Sequence, residues 1–147
     1  KKISKMDKKK DLAGKLRTSG LRPTKQRLKL ADYLFNREKT FHFTVENLDK
    51  AINKKNSEEK IALATIYNTV HAFKKAGHLK EILIKEGRNY FDTNTSSHHH
   101  FYDEINNELT DIENSKIELK KFPHPPKGKS IKDVNVIIKI DNDNQKH

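Results

Sequence analysis

The chain has 147 residues, 33% hydrophobic and 35% charged, which fits one or two small domains with a modest core. No apolar run approaches the roughly 18–20 residues that span a bilayer, and the lack of cysteine excludes disulfides, thiolate zinc sites and cysteine nucleophiles. Residues 1–92 hold 23 Lys and Arg against 11 Asp and Glu, whereas residues 93–147 hold 8 against 9. The basic half favours binding to a polyanion, although lysine-rich surfaces can also serve solubility alone.

The first half of the chain shows three helical patterns after a basic start. Residues 1–10 predict a mobile basic arm or a loosely formed first helix. Thr24 and Thr44 are good N-caps ahead of apolar residues at helical spacing, and residues 54–60 predict a polar loop. The third helix is the clearest, because its apolar spacing runs up to Gly77, a residue type that ends helices. Its predicted inward-facing residues are Leu63, Ile66, Val70 and Phe73.

A β-hairpin is predicted directly after the third helix. Two β-prone runs, at residues 79–85 and 90–92, flank a turn at residues 86–89 that contains Gly87. Three helices followed by a hairpin are typical of a winged helix-turn-helix, which is a DNA-binding module.

The second half is built from short strands and loops. Fifty residues with few large apolar side chains form a thin core, so we expect a homodimer in which a second copy covers the last strand. The predicted elements are a polar connector at 93–97, strands at 100–105 and 108–112 around an Asn106-Asn107 turn, an ambiguous stretch at 116–122, a proline-rich loop or short helical turn at 123–128, and a strand at 134–140.

The third helix carries an unusual set of polar side chains outside its apolar stripe. Tyrosine and threonine can touch thymine methyls or phosphates, asparagine can pair with adenine, and lysine or arginine can neutralise phosphates. An ordinary solvated helix face is the alternative, but such a face normally consists of Lys and Glu. The predicted DNA contacts are Thr65, Tyr67, Asn68, Lys74 and Lys75 on the helix and Arg88 in the hairpin turn.

The run His98-His99-His100 suggests a metal site. On a strand, His98 and His100 project to one face about 7 Å apart, while His99 points to the other. The triplet alone fits a polar surface tract equally well, but histidine and aspartate in neighbouring elements favour coordination. Imidazoles with carboxylates suit Fe²⁺, Mn²⁺ or Zn²⁺ better than Ca²⁺ or Mg²⁺. The predicted ligands, at the junction of the two halves, are His42, Asp92, His98, His100 and Asp111.

From about Leu12 to Ile140 the chain resembles the ferric uptake regulator superfamily of bacterial metal-responsive repressors. The resemblance implies that Tyr67 touches thymines in the major groove, that Arg22 enters the minor groove, and that the five predicted ligands form the regulatory metal site. It also implies a second metal site that draws on His99 and Glu118. The segments that carry the resemblance are residues 20–27, residues 63–70, Tyr90-Phe91-Asp92 and His98-His99-His100.

Two features depart from the common family pattern. The usual Cys-x-x-Cys zinc motif is replaced by Asp103-Glu104-Ile105-Asn106, so no structural zinc held by four cysteines is expected. The long helix usual in the dimerisation half is replaced by residues 123–128. The cysteine-free core, the His triplet and the Pro-Pro-x-Gly segment are similar to the iron response regulators of α-proteobacteria, which implies haem ligation by one of His98–His100 as an alternative to metal alone.

The combined expectation is an α+β fold with a winged helix-turn-helix DNA-binding domain at 1–92, a hinge at 93–97 and a small α/β dimerisation and metal-sensing domain at 98–147. Such a protein would be a cytoplasmic, non-enzymatic repressor that binds operator DNA as a homodimer and controls iron homeostasis genes, without membrane contact. A peroxide-sensing or a zinc- or manganese-sensing repressor on the same scaffold is the alternative. A metal-dependent nuclease is less favoured, because five protein ligands leave little room for substrate water and no separate general base is evident. A non-specific nucleoid protein is a further, less favoured alternative, which a specificity ratio near one against random duplex would support.

Overall fold

The computed structural model describes residues 5–55, 57–85 and 88–143, and side chains from Asp11 onward within these ranges. In this part of the chain there are four α-helices and six β-strands, so the fold is α+β as predicted. The chain divides into two compact units, residues 1–95 and residues 96–147. Among the described residues, no helix combines the length and apolar character needed to cross a membrane.

The helices all lie in the first unit. The three predicted helices are present, and they are preceded by a fourth that covers most of the predicted basic arm; the rest of that arm, residues 1–4, lies outside the described residues. The helices are α1 (Lys5–Thr18), α2 (Lys25–Phe35), α3 (Val45–Ile52) and α4 (Leu63–Lys75).

The helix ends follow the predicted local chemistry. Thr24 and Thr44 are the N-caps of α2 and α3, and each side chain accepts a hydrogen bond from the backbone N–H three residues later. The Asn47 side chain in turn accepts a hydrogen bond from the Thr44 backbone N–H, which completes a capping box. Gly77 has a φ of +88°, the left-handed conformation that ends α4 and that glycine adopts without strain.

Three strands complete the first unit: β1 (His42–Phe43), β2 (Lys80–Lys85) and β3 (Arg88–Asp92), in the order β1-β3-β2 and all antiparallel. The predicted hairpin is therefore confirmed, and β1 adds a third strand that was too short to predict. Arg88 was expected in the hairpin turn, but it is the first residue of β3 and pairs with Lys85. Glu86 and Gly87, also in the predicted turn, lie outside the described residues.

The core of the first unit contains side chains from all four helices and from the sheet. Ile66, Val70 and Phe73 are fully buried, as their spacing predicted. Leu63 was expected to face inward as well, but it is 48% exposed, because the first turn of α4 projects beyond the core. The fourth fully buried residue of α4 is Thr69, whose hydroxyl donates to the Thr65 carbonyl at 2.7 Å and so needs no water.

The second unit is built on β4 (His99–Asp103), β5 (Glu108–Ile112) and β6 (Ile137–Ile140), in the order β5-β4-β6. β4 pairs antiparallel with β5, through the predicted Asn106-Asn107 turn, and parallel with β6. The strand predicted at 134–140 is shorter than expected, because Val136 bonds to the histidine run before the regular strand pairing begins. A short 3-10 turn, Asn114–Lys116, precedes an irregular stretch, and the proline-rich segment at 123–128 is a loop.

Candidate functional site

Three of the predicted metal ligands meet within the second unit. The pairing of β4 with β5 places His100 opposite Asp111, and the His98 and His100 rings lie on one face with centroids 4.5 Å apart. The Nε2 atoms of His98 and His100 are 3.1 Å and 3.2 Å from the same oxygen, Oδ1 of Asp111. Ligand-capable atoms of the three residues lie within 4.8 Å of one another. This confirms the predicted shared face of His98 and His100.

The hydrogen bond of His98 Nδ1 determines that Nε2 is the ring atom available to a metal ion. Its Nδ1 lies 2.8 Å from the carbonyl oxygen of Ser96, and because a carbonyl only accepts, Nδ1 carries the proton. The lone pair of a neutral ring is then on Nε2, the atom that faces Asp111. A lone-pair nitrogen against a carboxylate oxygen requires either a proton or a cation between them, and Nε2 of His100 faces the same oxygen. The donor set therefore fits a divalent transition metal.

The other two predicted ligands form a pair within the first unit. β1 and β3 place His42 opposite Asp92, and His42 Nε2 is 3.5 Å from Asp92 Oδ2. Asp92 is buried, and its Oδ1 accepts a hydrogen bond from the Asn94 N–H at 2.8 Å. This bond fixes the orientation of the carboxylate and leaves Oδ2 beside the imidazole.

His99 and Glu118, the residues of the predicted second site, have different surroundings. His99 is buried on the opposite side of β4, where its Nδ1 accepts a hydrogen bond from the Val136 N–H at 2.9 Å. Glu118 is exposed in the irregular stretch after the 3-10 turn. Neither belongs to a group of three or more potential ligands within residues 5–55, 57–85 and 88–143. A second metal site at these residues stays a prediction.

The outer face of α4 presents the residues predicted to read DNA. Tyr67 is 38% exposed and its ring stacks on His71, with centroids 6.0 Å apart and planes 14° from parallel. Its hydroxyl donates to Oε1 of Glu46 at 3.4 Å. The negative charge of Glu46 raises the pKa of the Tyr67 phenol, so this group remains a hydroxyl donor. Asn68 is exposed beside Tyr67, and Thr65 is half-buried.

The predicted cationic contacts differ in their surroundings. Lys75 and Arg22 are exposed, whereas Lys74 is paired with the Glu81 carboxylate, whose other oxygen accepts from the Asn89 amide at 3.0 Å. Arg88 is half-buried on β3. Sequence reasoning missed both acidic partners, Glu46 and Glu81, since each contacts a residue on a different element.

Comparisons with known proteins identify the family to which the chain is similar. The family model for the ferric uptake regulator family matches residues 18–139. A peroxide-responsive repressor of Staphylococcus epidermidis is 33% identical over 97 residues, which are 66% of this chain and 62% of that protein. The peroxide operon regulator of Bacillus subtilis is 33% identical over 85 residues, or 58% and 56% of the two chains. The chain thus spans less than two thirds of the length of these relatives.

Solved structures show the same fold at low sequence identity. The ferric uptake regulator of Pseudomonas aeruginosa, solved with manganese, has a TM-score of 0.63 at 23% identity, covering 88% of this chain and 96% of that one. The regulator of Vibrio cholerae has a TM-score of 0.65 at 19% identity, covering 88% and 98%. The family match extends over both units and includes every predicted metal ligand. The chain therefore belongs to the ferric uptake regulator family.

Proposed function

We propose that this protein is a metal-responsive transcriptional regulator that binds operator DNA as a homodimer in the cytoplasm. The observation that carries the proposal is the group of His98, His100 and Asp111, in which two imidazole nitrogens face one carboxylate oxygen. Family membership supports it, as does the polar and aromatic outer face of α4 in the first unit.

We infer that His42 and Asp92 join the group in the second unit to hold one ion of Fe, Mn or Zn. An ion shared by both units would favour the arrangement of the chain in which its ligands meet, by the difference in its affinity for the two states. Residues 1–92 carry an excess of positive charge, so they would bind the DNA backbone, and the arrangement that the metal favours would be the one that binds DNA. The division of the chain into a DNA-binding domain, a hinge and a sensing domain follows from this inference.

Direct contacts to DNA would come from the first unit. We assign base contacts to Thr65, Tyr67 and Asn68, because the first turns of such a helix reach the major groove. Phosphate or minor-groove contacts are assigned to Arg22, Lys74, Lys75 and Arg88.

Homodimerisation would involve the second unit. β6 exposes Ile138 and Ile140, which are apolar residues on the last strand of the sheet. Burial against a second copy would remove this apolar surface from water and set two DNA-binding units at a fixed spacing. A light-scattering measurement of molar mass should give twice the mass of the chain, and the double variant Ile138→Asp, Ile140→Asp should shift it towards the monomer.

The effector separates two candidate functions. Control of iron homeostasis, as in the iron response regulators, is our expectation for the target genes. A peroxide-responsive repressor is the second candidate, because one relative above is named a peroxide-responsive repressor and the other a peroxide operon regulator. Haem ligation is less favoured, since His98, His99 and His100 are 6%, 3% and 1% exposed and an axial ligand must reach the haem iron. Protein loaded with Fe²⁺ and then treated with hydrogen peroxide should release DNA only under the second function.

The metal requirement can be tested directly by calorimetry with Mn²⁺ and by gel shifts with and without a chelator. Asp111→Ala should abolish Mn²⁺ binding and the metal-dependent shift, because the carboxylate faces both imidazoles. His42→Ala should also weaken Mn²⁺ binding if one ion uses both groups. His124→Ala, in the exposed loop, is the matched control and should bind as the unmodified protein does. Equal Mn²⁺ affinity in Asp111→Ala would contradict the proposal, and equal affinity in His42→Ala alone would contradict the shared ion.

A further inference from the structure

An acidic side chain lies on the face of the first unit that is assigned to DNA. Glu46 lies in the first turn of α3 and is exposed. Its carboxylate accepts a hydrogen bond from the hydroxyl of Tyr67, on α4, at 3.4 Å. A carboxylate at a basic, DNA-binding surface repels phosphates, so it lowers affinity for every duplex unless it meets a donor. Its position next to the exposed aromatic residue of α4 therefore calls for an explanation.

The local structure holds this carboxylate in place. The capping box of Thr44 and Asn47 fixes the first turn of α3, and Val45, on one side of Glu46, is buried in the core. The Tyr67 ring is in turn backed by His71, which contacts Phe91 edge-on at 6.1 Å. Packing therefore fixes the backbone at Glu46 and backs the Tyr67 ring, and the hydrogen bond between the two side chains orients the carboxylate. Such preorganisation is what base readout requires.

The chemistry of the pair is asymmetric. An ionised carboxylate only accepts hydrogen bonds, and it can accept about four, of which the Tyr67 hydroxyl uses one. In the major groove the bases present two donors, the N4 amino group of cytosine and the N6 amino group of adenine, whereas guanine and thymine present acceptors at the corresponding edge. A fixed acceptor at this position rejects guanine and thymine by repulsion.

We propose that Glu46 and Tyr67 form one base-reading unit, in which the Glu46 carboxylate accepts a hydrogen bond from a major-groove amino group, N4 of cytosine or N6 of adenine, next to the base that Tyr67 contacts. This inference rests on the proposed function, since it concerns the same DNA-binding surface. It adds an acidic specificity residue, on α3 rather than α4, to the predicted contacts.

The test is selection of duplexes from a randomised library by the full chain with Mn²⁺, followed by sequencing. The unmodified protein should enrich a sequence with cytosine or adenine at one position of each half-site, and the enriched base identifies which amino group is read. Glu46→Ala should reduce that preference on the order of tenfold and leave the neighbouring positions unchanged. Glu104→Gln, an exposed acidic residue of the second unit that pairs with Lys139, is the control for loss of one negative charge.

Tyr67→Phe separates base reading from mere positioning of the tyrosine, because it removes the hydroxyl and leaves the carboxylate. The amino-group preference should persist in Tyr67→Phe; a loss equal to that of Glu46→Ala would make Glu46 a positioning residue and overturn the inference. If the unmodified protein and Glu46→Ala enrich the same sequence, the inference about Glu46 is overturned and the proposed function is not. If the unmodified protein enriches no sequence, the proposed function fails together with the inference.

Discussion

The side chain of Asn53 fastens the loop that leads into α4. It is the C-cap residue of α3, and its amide both donates to the Ile61 carbonyl and accepts from the Ile61 N–H, each at 2.7 Å. Asn53→Ala should lower the free energy of unfolding by about 2 kcal/mol, because two partly buried backbone groups lose their partner. Urea denaturation measures this change.

Asn36→Ala is the matched control for Asn53→Ala. Asn36 is also a C-cap, but its half-buried side chain donates to the Asp32 carboxylate of the preceding turn and, among the described residues, to no loop backbone. Its removal should cost less than about 0.5 kcal/mol. Equal losses in the two variants would mean that the bonds to Ile61 contribute nothing beyond the cap.

His78 should make stability depend on pH. Burial, and then the charge of Lys15, lowers the pKa of this imidazole below its usual value near 6.5. As the pH falls below 6.5 the unfolded chain takes up a proton that the folded chain resists, so the free energy of unfolding decreases until the pH passes below the folded pKa. His78→Gln should reduce the loss between pH 7.5 and 5.5 in metal-free protein, measured by urea denaturation.

The comparison for His78 is His124→Gln, because His124 is exposed in the proline-rich loop. The pH dependence of the unfolding free energy of His124→Gln should match that of the unmodified chain, because both keep His78. A pH profile of His78→Gln that coincides with the unmodified profile would remove His78 as the cause.

Residues that share an element were predictable, and those that meet across elements were not. The common face of His98 and His100 follows from the alternation of side chains along extended backbone, although His98 lies one residue before β4. The contact of Glu46 with Tyr67 joins residues of two helices that are 21 positions apart in the sequence, and no period or motif predicts that they meet. The same holds for Lys74, whose partner Glu81 lies on the next strand.

The two ends of α4 show how local signals determine an element. Gly77 was recognised as the end of α4 because a positive φ is needed there, and the structure has φ +88°. The start was harder to judge, since apolar spacing alone placed Leu63 in the core and the first turn instead exposes it. α1 was only half predicted, because its lysine-rich beginning resembles a disordered arm.

Glycine substitutions in α1 and after α4 should have opposite effects. Gly77→Ala should destabilise the protein by about 1 kcal/mol, because an L-side chain is strained at this φ although the space around it is open. Gly14→Ala, within α1 and with nothing within 4 Å of the added methyl group, should stabilise it by about 0.5–1 kcal/mol. Thermal unfolding of both variants checks the pair, and a loss of stability in Gly14→Ala would contradict this account of α1.

For the molecule as a whole, the excess of positive charge in the first half predicts steep salt dependence of DNA binding. Removing one lysine that neutralises a phosphate should lower the slope of log K against log salt by about 0.9. Lys75→Gln should show this reduction. Lys74→Gln should show a smaller one, because Glu81 already compensates the Lys74 charge. Equal reductions would mean that the Lys74–Glu81 pair opens on DNA.

The general architecture was therefore accessible from the sequence, because period, caps and charge act over short stretches. The lengths of the strands in the second unit were not, since residues 134–136 are β-prone and yet lie outside the regular strand, where Val136 bonds to the histidine run. Tertiary bonds of this kind override local propensity.

The contact of Val136 with the histidine run makes the segment after Asp133 important for the structure of that run. Its N–H bonds the His99 ring, and its carbonyl accepts from the His100 N–H at 3.1 Å. A stop codon after Asp133 would remove both bonds and the neighbouring strand, although every proposed metal ligand would survive. A preparation clipped after Asp133 that keeps His98, His100 and Asp111 should therefore lose affinity for manganese.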